Sequence, residues 1–183
     1  MLVAILDACV LFSVALCDTL LRAAEQGLFR VHWSDEILQE VQRALVASGR
    51  VTPKQASYRT EAMTRAFPEA AVTGYEPLIS RMTNDLGDRH VLAAAVAADA
   101  QVIVTRNLRH FFCEALEPWG VVAQSPDRFL TQLFELQPDT MVEVVRDQAA
   151  SLFRQPMSVA RVLDGLEKNA PIFVNRMREK IER

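Results

Sequence analysis

Hydrophobic positions along this chain follow two different periods. LVAIL (2–6), QVIVT (101–105) and GVVAQ (120–124) are short apolar runs, and each predicts a buried strand. FRVHW (29–33) reads as a short extended piece. Elsewhere the apolar residues recur at helical spacing. In residues 13–26, Leu16, Leu20 and Ala23 or Ala24 share a face, and Gly27 ends the pattern. Ser34 suits an N-cap, with Asp35 and Glu36 placed for the positive end of a helix dipole, and that helix runs to Gly49. TPKQ (52–55) is a capping box with proline at the first helical position, opening a helix to about Phe67. The stretch from Pro68 to Asn84 reads as a turn and a short helix from Glu76. Asp88 falls in the first turn of an alanine-rich helix over 88–99, and Ser125 and Pro126 form a cap. Everything beyond reads helical, with breaks near Pro138, Pro156 and Pro171.

Strands alternating with helices imply an α/β fold in which helices cover a parallel sheet. In open sheets of this kind, ligands bind beyond the carboxyl ends of the strands. That placement explains Asp7, which interrupts the apolar run MLVAILDACVLFS. A carboxylate within such a run costs several kcal/mol unless it is paired, hydrogen-bonded, metal-bound or at the run's end. One residue past its strand, Asp7 reaches the rim. Thr105 and Asn107 stand at the end of theirs.

Asp7, Glu40, Asp88 and Asn107 are candidates to converge at that rim, with Asp85 three residues before Asp88. Crowded carboxylates repel one another and need a cation or raised pKa values to coexist. Mg²⁺ takes oxygen ligands, commonly one or two carboxylates with waters, and leaves room for phosphate oxygens. The net charge of −3 excludes a molecule that binds polyanions by bulk charge, so such binding needs a local patch. Arg106 and Arg109 flank the rim and are candidates for phosphate contact. The three cysteines lack C-x-x-C spacing, which argues against zinc and for reduced thiols in a cytoplasm. The apolar N-terminus carries no Lys or Arg before it, unlike a signal peptide, and no stretch has the roughly 20 apolar residues of a membrane span. The expected location is cytoplasmic, with no membrane partner.

DACVLFS, WSDEILQEV, DLGDRHVLAAAVAADAQVIVTRN and LRHF, in that order, resemble the PIN-domain nucleases, and among them the VapC-type toxins of type II toxin–antitoxin systems. The resemblance covers roughly residues 1–130. It implies an α/β/α sandwich around a parallel sheet and a metal-dependent endoribonuclease using Mg²⁺ or Mn²⁺. It assigns the family's first three acids to Asp7, Glu40 and Asp88, as catalytic residues and metal ligands. The fourth falls on Asn107, where many members carry aspartate, so this position brings an amide and a weaker metal ligand. Thr105 matches a Ser or Thr that in the family hydrogen-bonds within the acidic cluster. His110 stands where related sequences often have an acid, and no role attaches to it. The family also implies an RNA substrate, a cognate antitoxin protein and a homodimer. The chain divides on this reading into a PIN-like nuclease domain, 1–137, and a helical C-terminal extension, 138–183, of which LFRQP (152–156) is one amphipathic piece.

Plainer readings stand beside these. Asp7 also suits an N-cap, Glu40 a solvated helix face, Asp88 a helix dipole, Asp85 a loop and Asn107 a turn. His32 and His90 read as structural; Trp33, Phe111 and Phe112 read as core. A phosphoacceptor domain would need a lysine after a late strand, and Lys54, Lys168 and Lys180 are all misplaced for it. The alternative to a nuclease is a degenerate PIN-fold binding module that lost turnover through Asn107.

Overall fold

The computed structural model describes residues 1–151 and 157–182; LFRQP, with its break at Pro156, lies outside the described residues. In chain order the elements are β1 (Val3–Leu6), α1 (Ala8–Leu11), α2 (Val14–Glu25), β2 (Arg30–Ser34), α3 (Asp35–Ala47), α4 (Pro53–Ala66), β3 (Ala71–Val72) and α5 (Glu76–Ile79). There follow α6 (Arg89–Ala97), β4 (Val102–Val104), α7 (Cys113–Leu116), β5 (Val122–Gln124), α8 (Pro126–Leu136), α9 (Pro138–Ala150), α10 (Val159–Glu167) and α11 (Pro171–Glu182). Contacts gather them into two compact units. One comprises Met1–Phe12 and Arg30–Gln124; the other comprises Ser13–Phe29 and Ser125–Arg183.

The first unit is built on a five-stranded sheet in the order β3-β2-β1-β4-β5. Every neighbouring pair is parallel, as the alternation of strands and helices requires. β1 is central: Ile5 pairs with His32 on one side and Ile103 on the other. Ala4, Ile5 and Leu6 are fully buried, as are Ile103 and Val104, which is why these strands read as unbroken apolar runs. Each large side chain so buried contributes on the order of 1.5–3 kcal/mol. The chain adds β2 and β3 on one side of β1, then crosses to add β4 and β5 on the other. The carboxyl ends of β1 and β4 therefore flank the point where strand order reverses, the place where sheets of this type bind ligands. This is the expected α/β/α architecture with C-terminal helices.

Local signals explain most boundaries. Ser34 Oγ accepts from Ile37 N at the start of α3. Thr52 and Gln55 complete the reciprocal capping box of α4. Ser125 Oγ accepts from Arg128 N at the start of α8. Several features differ from expectation, among them β5, expected to be buried, which lies at the sheet edge with Val122 51% exposed. The edge strand β3 was not expected, because two residues carry no periodicity. Asp88 closes a 3₁₀ turn over Leu86–Asp88 and precedes α6 instead of lying in its first turn, since Asp85 captures Gly87 N with its side chain and Asp88 N with its carbonyl. Phe111 and Trp33 are core, but Phe112 is 44% exposed beside the surface helix α7.

The second unit is helical and draws on both parts of the sequence. Thr19 Oγ1 of α2 donates to Gln148 Oε1 of α9 at 2.7 Å, and Gln148 Nε2 donates to the carbonyl of Ala15 at 3.0 Å. Asp127, in the first turn of α8, accepts from the backbone N–H of Ile172 and of Phe173 at the start of α11, satisfying two of its free donors. α11 packs extensively on α8. Among the described residues, no helix is long and apolar enough to cross a membrane.

Candidate active site

Asp7 leaves β1 and immediately caps α1 by position, its N–H donating to the Val104 carbonyl at 3.1 Å as the last rung of the ladder. Its side chain does not cap the helix. Oδ2 instead accepts from Thr105 Oγ1 at 2.5 Å and from Cys9 Sγ at 3.1 Å. Asp7 is only 3% exposed, and Thr105 is fully buried. Arg59 of α4 donates to the carbonyls of Leu11 and Phe12 at the end of α1, filling acceptors that a four-residue helix leaves open. The carboxylate itself is held through Oδ2, by one donor from the segment after β4 and one from α1.

The segment after β4 continues the same network. Thr105 Oγ1 also accepts from Asn107 N at 3.0 Å, and His110 N donates to the Asn107 carbonyl at 2.9 Å. Asn107 contributes these backbone groups and makes no side-chain cap bond. Asp85 N donates to the His110 carbonyl at 3.2 Å, and His110 Nδ1 lies 2.7 Å from Asp88 Oδ2. Among the described residues, the trio of possible ligand atoms lying within 4.8 Å of one another is Asp85, Asp88 and His110. Asp7 and Glu40 stand outside that trio.

Electrostatics links the pieces. Burial raises the Asp88 carboxyl above the usual aspartate value; the charges of Asp7 and Asp85 push it further, against the bond from His110. Burial, then the Asp7 charge, pushes the Cys9 thiol up to about 12. Glu40 projects from α3 toward His90 of α6, with Oε1 3.2 Å from His90 Nε2 and 3.9 Å from Arg43. Glu36 Oε2 lies 3.8 Å from the other ring nitrogen. Burial lowers the His90 pKa, but contact with Glu40 and the charges of Glu40, Glu36 and Asp7 outweigh it and raise the net value. Glu40 therefore shares His90 with Asp7 as an electrostatic neighbour.

Arg106 is exposed, and its backbone N–H donates to Cys9 Sγ at 3.2 Å. Arg109 is also exposed and donates through Nε to His110 Nε2 at 3.1 Å. The sequence marks His110 by its place but gives it no role, and it gives His90 and Cys9 no part in the site. Cys9 lies at i+2 from Asp7, and His90 two residues past Asp88, so sequence proximity was their only signal.

The chemistry of the donor set fits a hard divalent cation. Asp7, Asp85 and Asp88 offer carboxylate oxygens, burial and then the charges of the other two hold Asp88's pKa up, and no Lys or Arg side chain pairs with any of the three among the described ion pairs.

A parallel sheet with acids gathered beyond its central strands is the arrangement of a PIN domain, and the PIN domain family profile matches residues 3–109; the chain belongs to that family. A second profile, the VapC50 C-terminal domain, matches residues 126–179. A relative from Mycobacterium tuberculosis, named "Putative ribonuclease VapC50", is 39% identical over 105 residues, which are 57% of this chain and 62% of the relative. The chain therefore matches less than two thirds of that relative's length. No solved structure matches.

Proposed function

We propose that this chain is a metal-dependent endoribonuclease that hydrolyses RNA phosphodiester bonds, and the toxin component of a VapC-type toxin–antitoxin pair in the cytoplasm. The observation that carries the reading is Asp7: a carboxylate 3% exposed at the end of the central strand, its Oδ2 held by the Thr105 hydroxyl and the Cys9 thiol. Membership of the PIN family supports it, as does the name of the relative.

On this reading Asp7 and Asp88 hold Mg²⁺ or Mn²⁺, with Glu40 on the same rim and Asn107 as a weak, uncharged contributor. A bound divalent ion would lower the pKa of a water and neutralise charge on the scissile phosphate. Thr105 fixes the Asp7 carboxylate by its 2.5 Å bond, so that one oxygen is committed to the hydroxyl and the other stays available. Asp85 shapes the turn that delivers Asp88 and adds negative charge beside it. Arg106 and Arg109 would meet RNA phosphates flanking the cut. The domain division at 137/138, a homodimer and an antitoxin partner belong to the same proposal.

Purified protein should cleave RNA with Mg²⁺ or Mn²⁺ and stop on chelation, and Asp7→Asn and Asp88→Asn should each lower the rate by about 100-fold or more. Cleavage at the parental rate by both variants would sink the reading. A second reading, a PIN-fold module that binds without turnover, is favoured by one observation: Glu40 is engaged with His90 and lies outside the tight Asp85–Asp88–His110 group. RNA binding without any cleavage by the folded, metal-loaded protein would favour that alternative.

A further inference from the structure

We infer that His110 is a positioning residue: its imidazole, as the Nδ1–H tautomer, holds Oδ2 of Asp88 and leaves the other oxygen free to serve as a metal ligand. The inference rests on the metal-site reading above and adds a residue to it.

The tautomer follows from the neighbours. Arg109 Nε always carries a proton and donates to His110 Nε2 at 3.1 Å, so Nε2 must be the acceptor. The ring proton then resides on Nδ1, 2.7 Å from Asp88 Oδ2, and is donated to that carboxylate. The ring is not the sole tie. The His110 carbonyl accepts from Asp85 N, while Asp88 N donates to the Asp85 carbonyl, so the 85–88 turn is clamped at its main chain and at its acid. Two short 3₁₀ turns, Leu86–Asp88 and Leu108–His110, are thereby locked together.

The consequence extends to Asp7. From Thr105, which binds the Asp7 carboxylate, the bonds run through the backbone of Asn107 to His110 and on to Asp88. One loop thus sets two acids that the chain carries 81 residues apart. A carboxylate at position 110 would add a third repelling charge beside Asp85 and Asp88. An imidazole N–H supplies a donor instead, the role that outer-shell groups play around metal-binding side chains.

The test uses Mn²⁺ binding, followed by electron paramagnetic resonance, on the full-length parent and on His110→Asn, His110→Gln and His110→Ala. Asparagine can present its amide N–H near the Nδ1 position; glutamine reaches past it. Alanine and glutamine should lower Mn²⁺ affinity about 10-fold or more, and asparagine should stay within about 3-fold of the parent. Imidazole ¹⁵N spectra of the metal-free parent should show His110 protonated at Nδ1 and bare at Nε2, a readout that needs no variant to fold. An Nε2–H tautomer overturns the inference, as does unchanged affinity in both the alanine and glutamine proteins. If the parent itself binds no Mn²⁺, the metal-site reading falls and this inference falls with it. A parent that binds alongside variants that bind equally well removes this inference alone.

Discussion

His90 Nε2 lies 3.2 Å from Glu40 Oε1, an imidazole with 6% of its side chain exposed set against a carboxylate on another helix. Burial of the ring works against its charge, yet Glu40, Glu36 and Asp7 together raise its pKa above 6.5. A histidine whose folded pKa exceeds its unfolded value contributes stability that is fully present below about 6.5 and is lost as pH rises through the folded value. Glu40→Gln removes the largest of the raising influences. Urea unfolding in chelator should then show a gap between parent and variant of about 1 kcal/mol at pH 6, discounted for the one-third exposure of Glu40. The gap should narrow toward pH 9. A gap that widens over that range contradicts the pairing.

Thr105→Val deletes the hydroxyl that donates to Asp7 and accepts from Asn107 N, both in a buried setting. Leaving those groups unpartnered costs about 1–3 kcal/mol. At about 2–4 °C per kcal/mol for a chain of this size, calorimetry should record a fall in Tm of several degrees, with Thr105→Ser near the parent. Equal melting of the valine protein and the parent would mean the hydroxyl holds nothing.

Cys9 should be nearly inert to iodoacetamide at pH 8, because a thiol pushed up to about 12 presents almost no thiolate. Cys113 is exposed on a surface helix and should be alkylated first. Peptide mass spectrometry over time should show Cys9 at least about 100-fold slower. Comparable rates at the two positions would place Cys9 in a different setting from the one described.

Asn107→Asp restores a charge at the end of β4 and should tighten Mn²⁺ binding by about 10-fold, roughly 1.4 kcal/mol. In the parent, binding should weaken on acidification at a pH above the usual aspartate range, because Asp88 keeps its proton to a higher pH than an ordinary carboxylate. Titrations at pH 5.5 and 7.5 measure both effects. An unchanged affinity in the variant argues that position 107 faces away from the ion.

What the sequence made legible followed from strong local physics. β1 and β4 are unbroken apolar runs because both faces are covered, and α3, α4 and α8 begin at side-chain caps that the letters spell out. β3 was invisible, since a two-residue edge strand is defined by its pairing with Trp33 and Ser34 and by nothing in its own pattern. Asp7 and Thr105 stood out because they sit at strand ends, and they do meet. The pairs His110–Asp88 and His90–Glu40 were not legible: they join segments 22 and 50 positions apart through turns whose geometry no periodicity encodes. Position 107 illustrates a third case. Its residue type drew notice, while the groups it contributes to the network belong to the backbone.

The pairing of Thr19 with Gln148 has a consequence for biogenesis. The helix carrying Thr19 precedes most of the sheet along the chain, whereas α9 and α10, which pack against it, follow the sheet. Throughout translation of the intervening sheet, that helix waits without these native neighbours, a state open to capture by chaperones or to self-association. Nascent chains stalled before residue 140 should therefore be the aggregation-prone species.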